Sequence, residues 1–516
     1  MRPKEAQAIA EGLVRSSSEA AFRGGLDLLK ADYPEVLLPT AKRLSERNRA
    51  DPRLAQLLGL AARAAGDGPL AHSAFSRAAR LASADPLIVH SHARTALEAG
   101  KPAVDLFERA VSLAPQDGSV LLGLAAALVA ERRGQEAIER LEAILTRNPL
   151  WIDGHRTLAH IRGQLGFDPV AHINTALATM GARHELHRLR ILTLFEARRY
   201  SDATVAVAKA RGLLGDLGWL RQFAAHAASE MGDIDTAENE LAAAPLPASQ
   251  EEFAMHARHL LRVGRPAEAA ELLEPRVAED RDHLFWPYLS LAWRLLDDSR
   301  ADWLEGDESL VGLYDLGDQV GDLEALATDL RHLHVAAEAP LDQSVRGGTQ
   351  SDGNLLLRDT PPIQRLRKTL LETVAAHVER LPQAREGHPT LFSRRAPQRV
   401  AGSWSVRLRE AGFHVDHVHS QGWLSSAFYV ALPETLARDD PADLTGKDGG
   451  THEGWLTLGE CRDLVPDLAP TRLIEPRPGR LVLFPSTMWH GTRPFSAGER
   501  LTVAFDIALP RQETDQ

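Results

Sequence analysis

An aspartate–proline pair, Asp51-Pro52, returns 34 positions later as Asp85-Pro86, and Asn148-Pro149 follows Pro115 at the same step of 34. Between these markers the text repeats itself. The runs Ala74-Phe75-Ser76-Arg77-Ala78-Ala79-Arg80-Leu81, Ala103-Val104-Asp105-Leu106-Phe107-Glu108-Arg109-Ala110-Val111 and Ala137-Ile138-Glu139-Arg140-Leu141-Glu142-Ala143-Ile144 all place small and large apolar residues three or four apart. Such spacing puts them on one helix face, where a neighbouring helix can approach closely. Helical stretches are expected to end near Gly100, Gly134, Gly166 and Gly232. A chain built this way buries its apolar faces by stacking unit on unit rather than around one central core.

The chain has 516 residues, and a single core rarely exceeds roughly 250–300 residues, so at least two domains are expected. The grammar changes near residue 305. Before it, Ala, Leu, Arg and Glu recur with helical periodicity. After it come short alternating runs, such as Leu481-Val482-Leu483-Phe484 and Leu501-Thr502-Val503-Ala504-Phe505-Asp506-Ile507, which signal strands. Domains over 1–305 and 306–516 follow. The formal charge of -12 argues against a dedicated nucleic-acid binder. A lone cysteine, Cys461, excludes an internal disulfide or a thiolate cluster. No apolar run suits a membrane span or a secretion signal, so a cytoplasmic protein without membrane partners is expected.

The period of paired helices resembles the tetratricopeptide repeat, carried by Gly59 and Ala79 with Pro86 and by Gly123 and Ala143 with Pro149. From about 160 to 300 the pattern is looser, with Ala203–Ala210 and Ala267–Leu273 reading as second helices. Seven or eight helix pairs are expected, stacked as an α-solenoid; a generic helical bundle is the plain alternative. The resemblance implies a concave surface that binds a protein or peptide. The same surface would also suit a homodimer interface or a spacer.

In the second half, Arg346-Gly347-Gly348-Thr349-Gln350 suggests a tight backbone path. Pro361–Leu381 reads as an amphipathic helix with Ile363, Leu366, Leu370, Leu371, Val374, Val378 and Leu381 on its apolar face. The informative stretch is Phe413-His414-Val415-Asp416-His417-Val418-His419-Ser420. In a strand, residues i and i+2 share a face. Two pairs therefore compete for one metal ion, His414 with Asp416 and His417 with His419. A third ligand is available in His490, beyond the strand that ends at Pro485, and Arg500 heads the next strand. Two histidines and a carboxylate leave open positions on iron for a bidentate 2-oxo acid and dioxygen, which favours the pair containing Asp416. The far carboxylate of such an acid needs a fixed cation, and arginine's fork supplies two parallel hydrogen bonds. Three histidines would also suit zinc, and Arg500 tips the balance toward a 2-oxo acid. Taken singly, each of these residues reads as ordinary core or surface; their clustering carries the inference.

Residues 340–510 resemble the bacterial 2OG-Fe(II) oxygenases often fused behind tetratricopeptide repeats. The resemblance rests on His417-Val418-His419-Ser420-Gln421-Gly422-Trp423-Leu424-Ser425-Ser426-Ala427-Phe428-Tyr429, on Pro478-Gly479-Arg480-Leu481-Val482-Leu483-Phe484-Pro485-Ser486 with His490, and on Arg500-Leu501-Thr502-Val503-Ala504-Phe505. Ser420 stands where the family usually has proline. The resemblance implies an α+β multidomain chain: an α-solenoid of repeats, then a double-stranded β-helix (jelly-roll) of about eight core strands with the 361–381 helix outside it. It implies Fe(II) and 2-oxoglutarate as cofactors. The metal set would be His417, His419 and His490, with His414, Asp416 and His490 the alternative. Arg500 would hold the co-substrate, with Tyr429, Arg407 and Thr502 beside it. Trp423 and Trp489 would seal the site or simply pack. The implied activity is hydroxylation of a peptide or protein side chain recruited by the repeats. A small-molecule hydroxylase, or a non-catalytic scaffold with a metal-binding barrel, are the alternatives.

Overall fold

The computed structural model describes residues 1–338, 340–341, 343–434, 436 and 452–511. The chain divides into two compact units, 1–143 with 352–367, and 144–351 with 368–516. None of the described helices is long and apolar enough to cross a membrane.

Among the described residues, nine helix pairs run from Ser18–Lys30 with Pro34–Arg47 to Trp286–Leu295 with Arg300–Glu305. The sequence markers indicate seven or eight because the first and last pairs lack them; the last is marked instead by Trp286, Trp293 and Trp303. Each pair turns through one residue of positive φ, in order Asp32, Gly66, Gly100, Arg132, Gly166, Arg198, Gly232, Gly264 and Asp297, at steps of 32 to 34. A left-handed residue reverses the chain after the first helix of a pair, and glycine adopts it without steric cost. Gly134, expected to end a helix, instead opens Gly134–Arg147.

The aspartate–proline marker has a local cause. Asp85 accepts hydrogen bonds from the Leu87 and Ile88 amides at 2.9 and 3.1 Å, while Pro86 occupies the first helical position. Aspartate thus satisfies amides that have no partner within the helix, and proline brings no amide that needs one. In the same unit, a Cβ on Gly59 would lie 2.5 Å from Phe75 and one on Gly123 would lie 2.2 Å from Phe107. The small positions of the repeat are therefore seats for phenylalanines of a neighbouring helix, within the pair for Gly59 and from the preceding pair for Gly123.

Among the described residues the second unit contains nine strands: β1 (Gly312–Asp315), β2 (Val345–Gln350), β3 (Val400–His414), β4 (Gly422–Ala431), β5 (Leu456–Leu458), β6 (Arg472–Ile474), β7 (Arg480–Pro485), β8 (His490–Thr492) and β9 (Arg500–Ala508). They form an antiparallel six-stranded sheet, β1-β7-β4-β9-β3-β2, and an antiparallel three-stranded sheet, β6-β5-β8. The curled sheets are those of a jelly-roll. The helix Pro361–Arg380 buries Leu370, Val374 and Val378, and its His377 Nδ1 lies 3.0 Å from the Tyr314 hydroxyl of β1.

The last helix pair shares a core with the sheets. Leu289, Trp293 and Leu304 pack in one buried cluster with Cys461, Leu464 and Trp489. The Trp489 indole donates to the Pro287 carbonyl at 2.8 Å. Arg294 donates to the carbonyls of Gly459 and Ala469. Trp423 is anchored elsewhere, donating to the Thr390 carbonyl at 2.8 Å. Packing accounts for both tryptophans.

Candidate metal centre

β3 ends at His414, and the next residues leave the strand before β4 begins at Gly422. In that crossing His417 forms an isolated antiparallel bridge with His490, their amides and carbonyls exchanging hydrogen bonds at 2.9 Å in both directions. The His419 amide donates to the Ser486 carbonyl at 3.0 Å. The three imidazoles converge, with ring centroids 4.1 Å apart for His417 and His490, 5.0 Å for His417 and His419, and 5.1 Å for His419 and His490. One ligating nitrogen from each lies within 4.8 Å of the others, so the three could hold one metal ion.

Their second nitrogens are already occupied. His417 Nδ1 lies 2.8 Å from the Val415 carbonyl, His490 Nδ1 lies 3.0 Å from the Met488 carbonyl, and His419 Nδ1 lies 2.9 Å from Asp506 Oδ1. A carbonyl can only accept, so His417 and His490 carry their proton on Nδ1 and present an Nε2 lone pair, that of His417 facing the Ser344 hydroxyl at 3.2 Å. Burial, reinforced by the neighbouring histidines, holds the pKa of His417 and His490 well below the ordinary imidazole value. Both rings are therefore neutral, as metal ligands must be.

The competing pair does not converge. Asp416 accepts from the Arg462 amide at 2.9 Å, from Nε at 2.8 Å and from Nη2 at 2.6 Å. Its Oδ1 packs over Gly491, where a Cβ would fall 2.0 Å away. His414 stacks on His417 at 5.9 Å and shares Ser344 with it: the Ser344 hydroxyl lies 2.9 Å from His414 Nδ1 and 3.2 Å from His417 Nε2. Burial lowers the His414 pKa to about 3.

Arg500 and Thr502 line the same pocket as the histidines, with Val406, Trp404 and Ala504. The register explains this: Leu408 faces Arg500, Val406 faces Thr502 and Trp404 faces Ala504 across β3 and β9. Directly opposed residues share a sheet face. Arg407 is therefore on the other face, where it pairs with Glu499, and it does not line the histidine pocket. Arg500 is buried, lies 5.1 Å from the centre of the Tyr429 ring and donates through Nη1 to the Gly454 carbonyl at 2.8 Å. Burial lowers its pKa, and the Tyr429 phenol opposes that shift. Arg500 Nε and the Tyr429 hydroxyl are buried without a hydrogen-bond partner among the described residues. Buried polar atoms rarely stay unpaired, and these two suit a small anion.

Sequence reading missed Asp506 and Ser344. Asp506 was within reach, because Arg500, Thr502, Ala504 and Asp506 alternate along β9. Ser344 has no local signal; strand pairing brings it there.

Residues 402–506 match the family model described as "Putative 2OG-Fe(II) oxygenase", and residues 95–161 match a tetratricopeptide repeat model. The chain thus carries a region that matches tetratricopeptide repeats and, after it, a region that matches a putative 2OG-Fe(II) oxygenase domain. No curated protein matches the sequence. Among solved structures, a Pseudomonas putida prolyl-4-hydroxylase is 15% identical over 39% of this chain and 95% of its own, with a TM-score of 0.26. HygX from Streptomyces hygroscopicus, solved with nickel and 2-oxoglutarate, is 12% identical over 40% of this chain and 85% of its own, with a TM-score of 0.26. A tetratricopeptide repeat protein from Parabacteroides merdae is 15% identical over 52% of this chain and 98% of its own, with a TM-score of 0.30. The family of the oxygenase domain implies Fe(II) and 2-oxoglutarate. The residues fit both: three imidazole donors suit iron, and the unpaired donors of Arg500 and Tyr429 suit a carboxylate.

Proposed function

We propose that this protein is an iron(II)- and 2-oxoglutarate-dependent hydroxylase acting on a side chain of a peptide or protein. The observation that carries the reading is one pocket holding three converging imidazoles and a buried arginine with an unpaired Nε. His417, His419 and His490 would hold the metal through the nitrogens not tied to Val415, Met488 and Asp506. Arg500 would hold the far carboxylate of the co-substrate, with the Tyr429 hydroxyl and Thr502 beside it. Iron(II) and 2-oxoglutarate, when bound, supply the activation of dioxygen and the oxidising power for hydroxylation. The protein's part is orientation and dryness. Leu456, Phe484 and Val406 wall the pocket with apolar surface, which strengthens every charge interaction within it. Support for a macromolecular substrate comes from the tetratricopeptide repeats, which serve as protein-binding surfaces in other chains.

The test uses full-length protein supplied with iron, ascorbate and 2-oxoglutarate. Binding of one iron and one 2-oxoglutarate per chain, with succinate formed on addition of substrate, is the expected result. Failure to bind both would overturn the reading. Tight zinc binding with no affinity for 2-oxoglutarate would favour a zinc site instead, since three histidines and a water satisfy that metal. Turnover with small molecules but with no peptide would move the substrate class.

A further inference from the structure

A second cavity adjoins the histidine pocket. It encloses about 1210 Å³ and is bounded by β2 and by residues of the helix pairs spanning 152–214. We propose that it docks an extended, acidic segment of the substrate chain, laid as an added strand along β2. The proposal rests on the hydroxylase reading and supplies its substrate class.

Shape is the first argument. The cavity exceeds the roughly 300–1,000 Å³ of small-molecule sites. One wall is β2, the edge strand of the six-stranded sheet, paired among the described residues to β3 alone. An antiparallel edge strand leaves every second amide and carbonyl turned outward, and an extended peptide pairs with them. The six residues of β2 span about 20 Å at about 3.3 Å per residue; a bulge at Gly347 divides that edge, and Arg346 occupies the Val345 carbonyl, which leaves Gly348–Gln350 as its regular open part.

Continuity is the second. Gln343 lines both cavities. Ser344, immediately before β2, touches His414 and His417. A strand following β2 toward its start therefore delivers one residue to the histidines.

Charge is the third. The whole chain carries -12, yet this cavity is lined by Arg198, Arg346, Arg407 and Arg409 against Glu196, Glu338 and Glu499. Glu499 is taken up by Arg331 and Arg407. Arg346 donates to the carbonyls of Gln343 and Val345, and Arg198 stands 3.8 Å from Asp463. Burial and the neighbouring charge of Arg198 both lower the pKa of Arg346. Two guanidinium groups that repel each other in one wall are relieved by an anion between them. Arg409 is exposed beside them.

The experiment needs neither iron nor 2-oxoglutarate. Full-length protein treated with chelator is titrated against a fluorescent ten-residue peptide alternating Glu and Val, with a Lys–Val peptide and a ten-base oligothymidylate as comparisons. Fluorescence anisotropy should report saturable binding of the Glu–Val peptide that weakens with salt. Methylating alternate amides of the peptide should abolish it. Arg198→Glu with Arg346→Glu should weaken it about tenfold or more, about 1.4 kcal/mol or above. Arg409→Glu, on the surface and so free of folding cost, should weaken it measurably. No binding of the Glu–Val peptide, equal binding of the Lys–Val peptide, or indifference to Arg409→Glu overturns the proposal. Oligothymidylate binding as tight as the peptide overturns it too and reassigns the cavity to nucleic acid. Succinate assays on the same protein, after iron and 2-oxoglutarate are restored, separate the two readings. Peptide binding lost with the chemistry intact sinks only the groove, and the reverse sinks only the hydroxylase.

Discussion

Asp506 and His419 are joined by a hydrogen bond of 2.9 Å, and the same carboxylate oxygen accepts the Ser425 hydroxyl at 2.7 Å. His417 and His490 lean on neutral carbonyls instead. A carbonyl fixes a ring's tautomer and tilt, whereas a carboxylate also makes the imidazole a stronger donor. The three-histidine set thereby has a negative charge one hydrogen bond beyond its candidate ligands.

Asp506→Asn keeps an acceptor and removes that charge. We expect metal affinity to fall about 10–100-fold, the usual cost of losing such a support. Competition against a chelator of known affinity measures it. Unchanged affinity would mean that the carboxylate only sets ring geometry.

The two candidate ligand pairs separate by metal stoichiometry. His419→Ala and His490→Ala should lose the metal. Asp416→Asn should keep it and lose stability instead, because Arg462 would face a neutral amide. The loss should be about 2 kcal/mol, below the roughly 3–5 of a fully buried pair because Arg462 is partly exposed. Metal loss in Asp416→Asn would restore the alternative set.

Arg500→Ala should abolish 2-oxoglutarate binding while iron stays bound. Arg500→Lys should recover part of it, since an ammonium keeps the charge but not the fork. Calorimetric titration of the iron-loaded protein, expected to lose about 100-fold or more for the alanine variant, reads this directly. Equal affinity in all three proteins would remove Arg500 from the site.

Glu305 gives a pH dependence. Burial raises its pKa to about 7, with the Ser290 hydroxyl and Arg294 opposing. In the unfolded chain it ionises near pH 4.5, so between about pH 4.5 and pH 7 only the unfolded state loses this proton. Stability from this group is full below pH 4.5 and falls as pH rises toward 7, by up to about 3 kcal/mol. Glu305→Gln removes the term, so its melting temperature should exceed the parent's by more at pH 8 than at pH 5. A constant difference across that range would contradict it.

The repeats were legible because their signals are local. Asp85-Pro86 is a cap and a first helical residue, and both act within one turn. Arg132 and Arg198 were hidden as turns because charged side chains stand where other units use glycine. The histidine cluster was legible as a cluster but not as a choice. The i, i+2 rule treats His414 through His419 as one strand, whereas β3 stops at His414 and the bridge of His417 to His490 fixes the ring positions. Arg407 failed for a reason of parity: its neighbour Leu408, not Arg407, faces Arg500 across the sheet. Register of that kind is set by distant pairing, which no single strand announces.

His490 follows Trp489 in the chain, and the Trp489 indole is seated among Leu289 and Trp293 of the last helix pair, hydrogen-bonded to Pro287. A fragment cut at residue 306 would therefore present a bare indole to water one peptide bond from a candidate ligand. The histidine pocket and the final helix pair are in this sense one packed body. Erosion of the final repeat, by mutation or by proteolysis, would reach the candidate metal pocket without touching any of its residues.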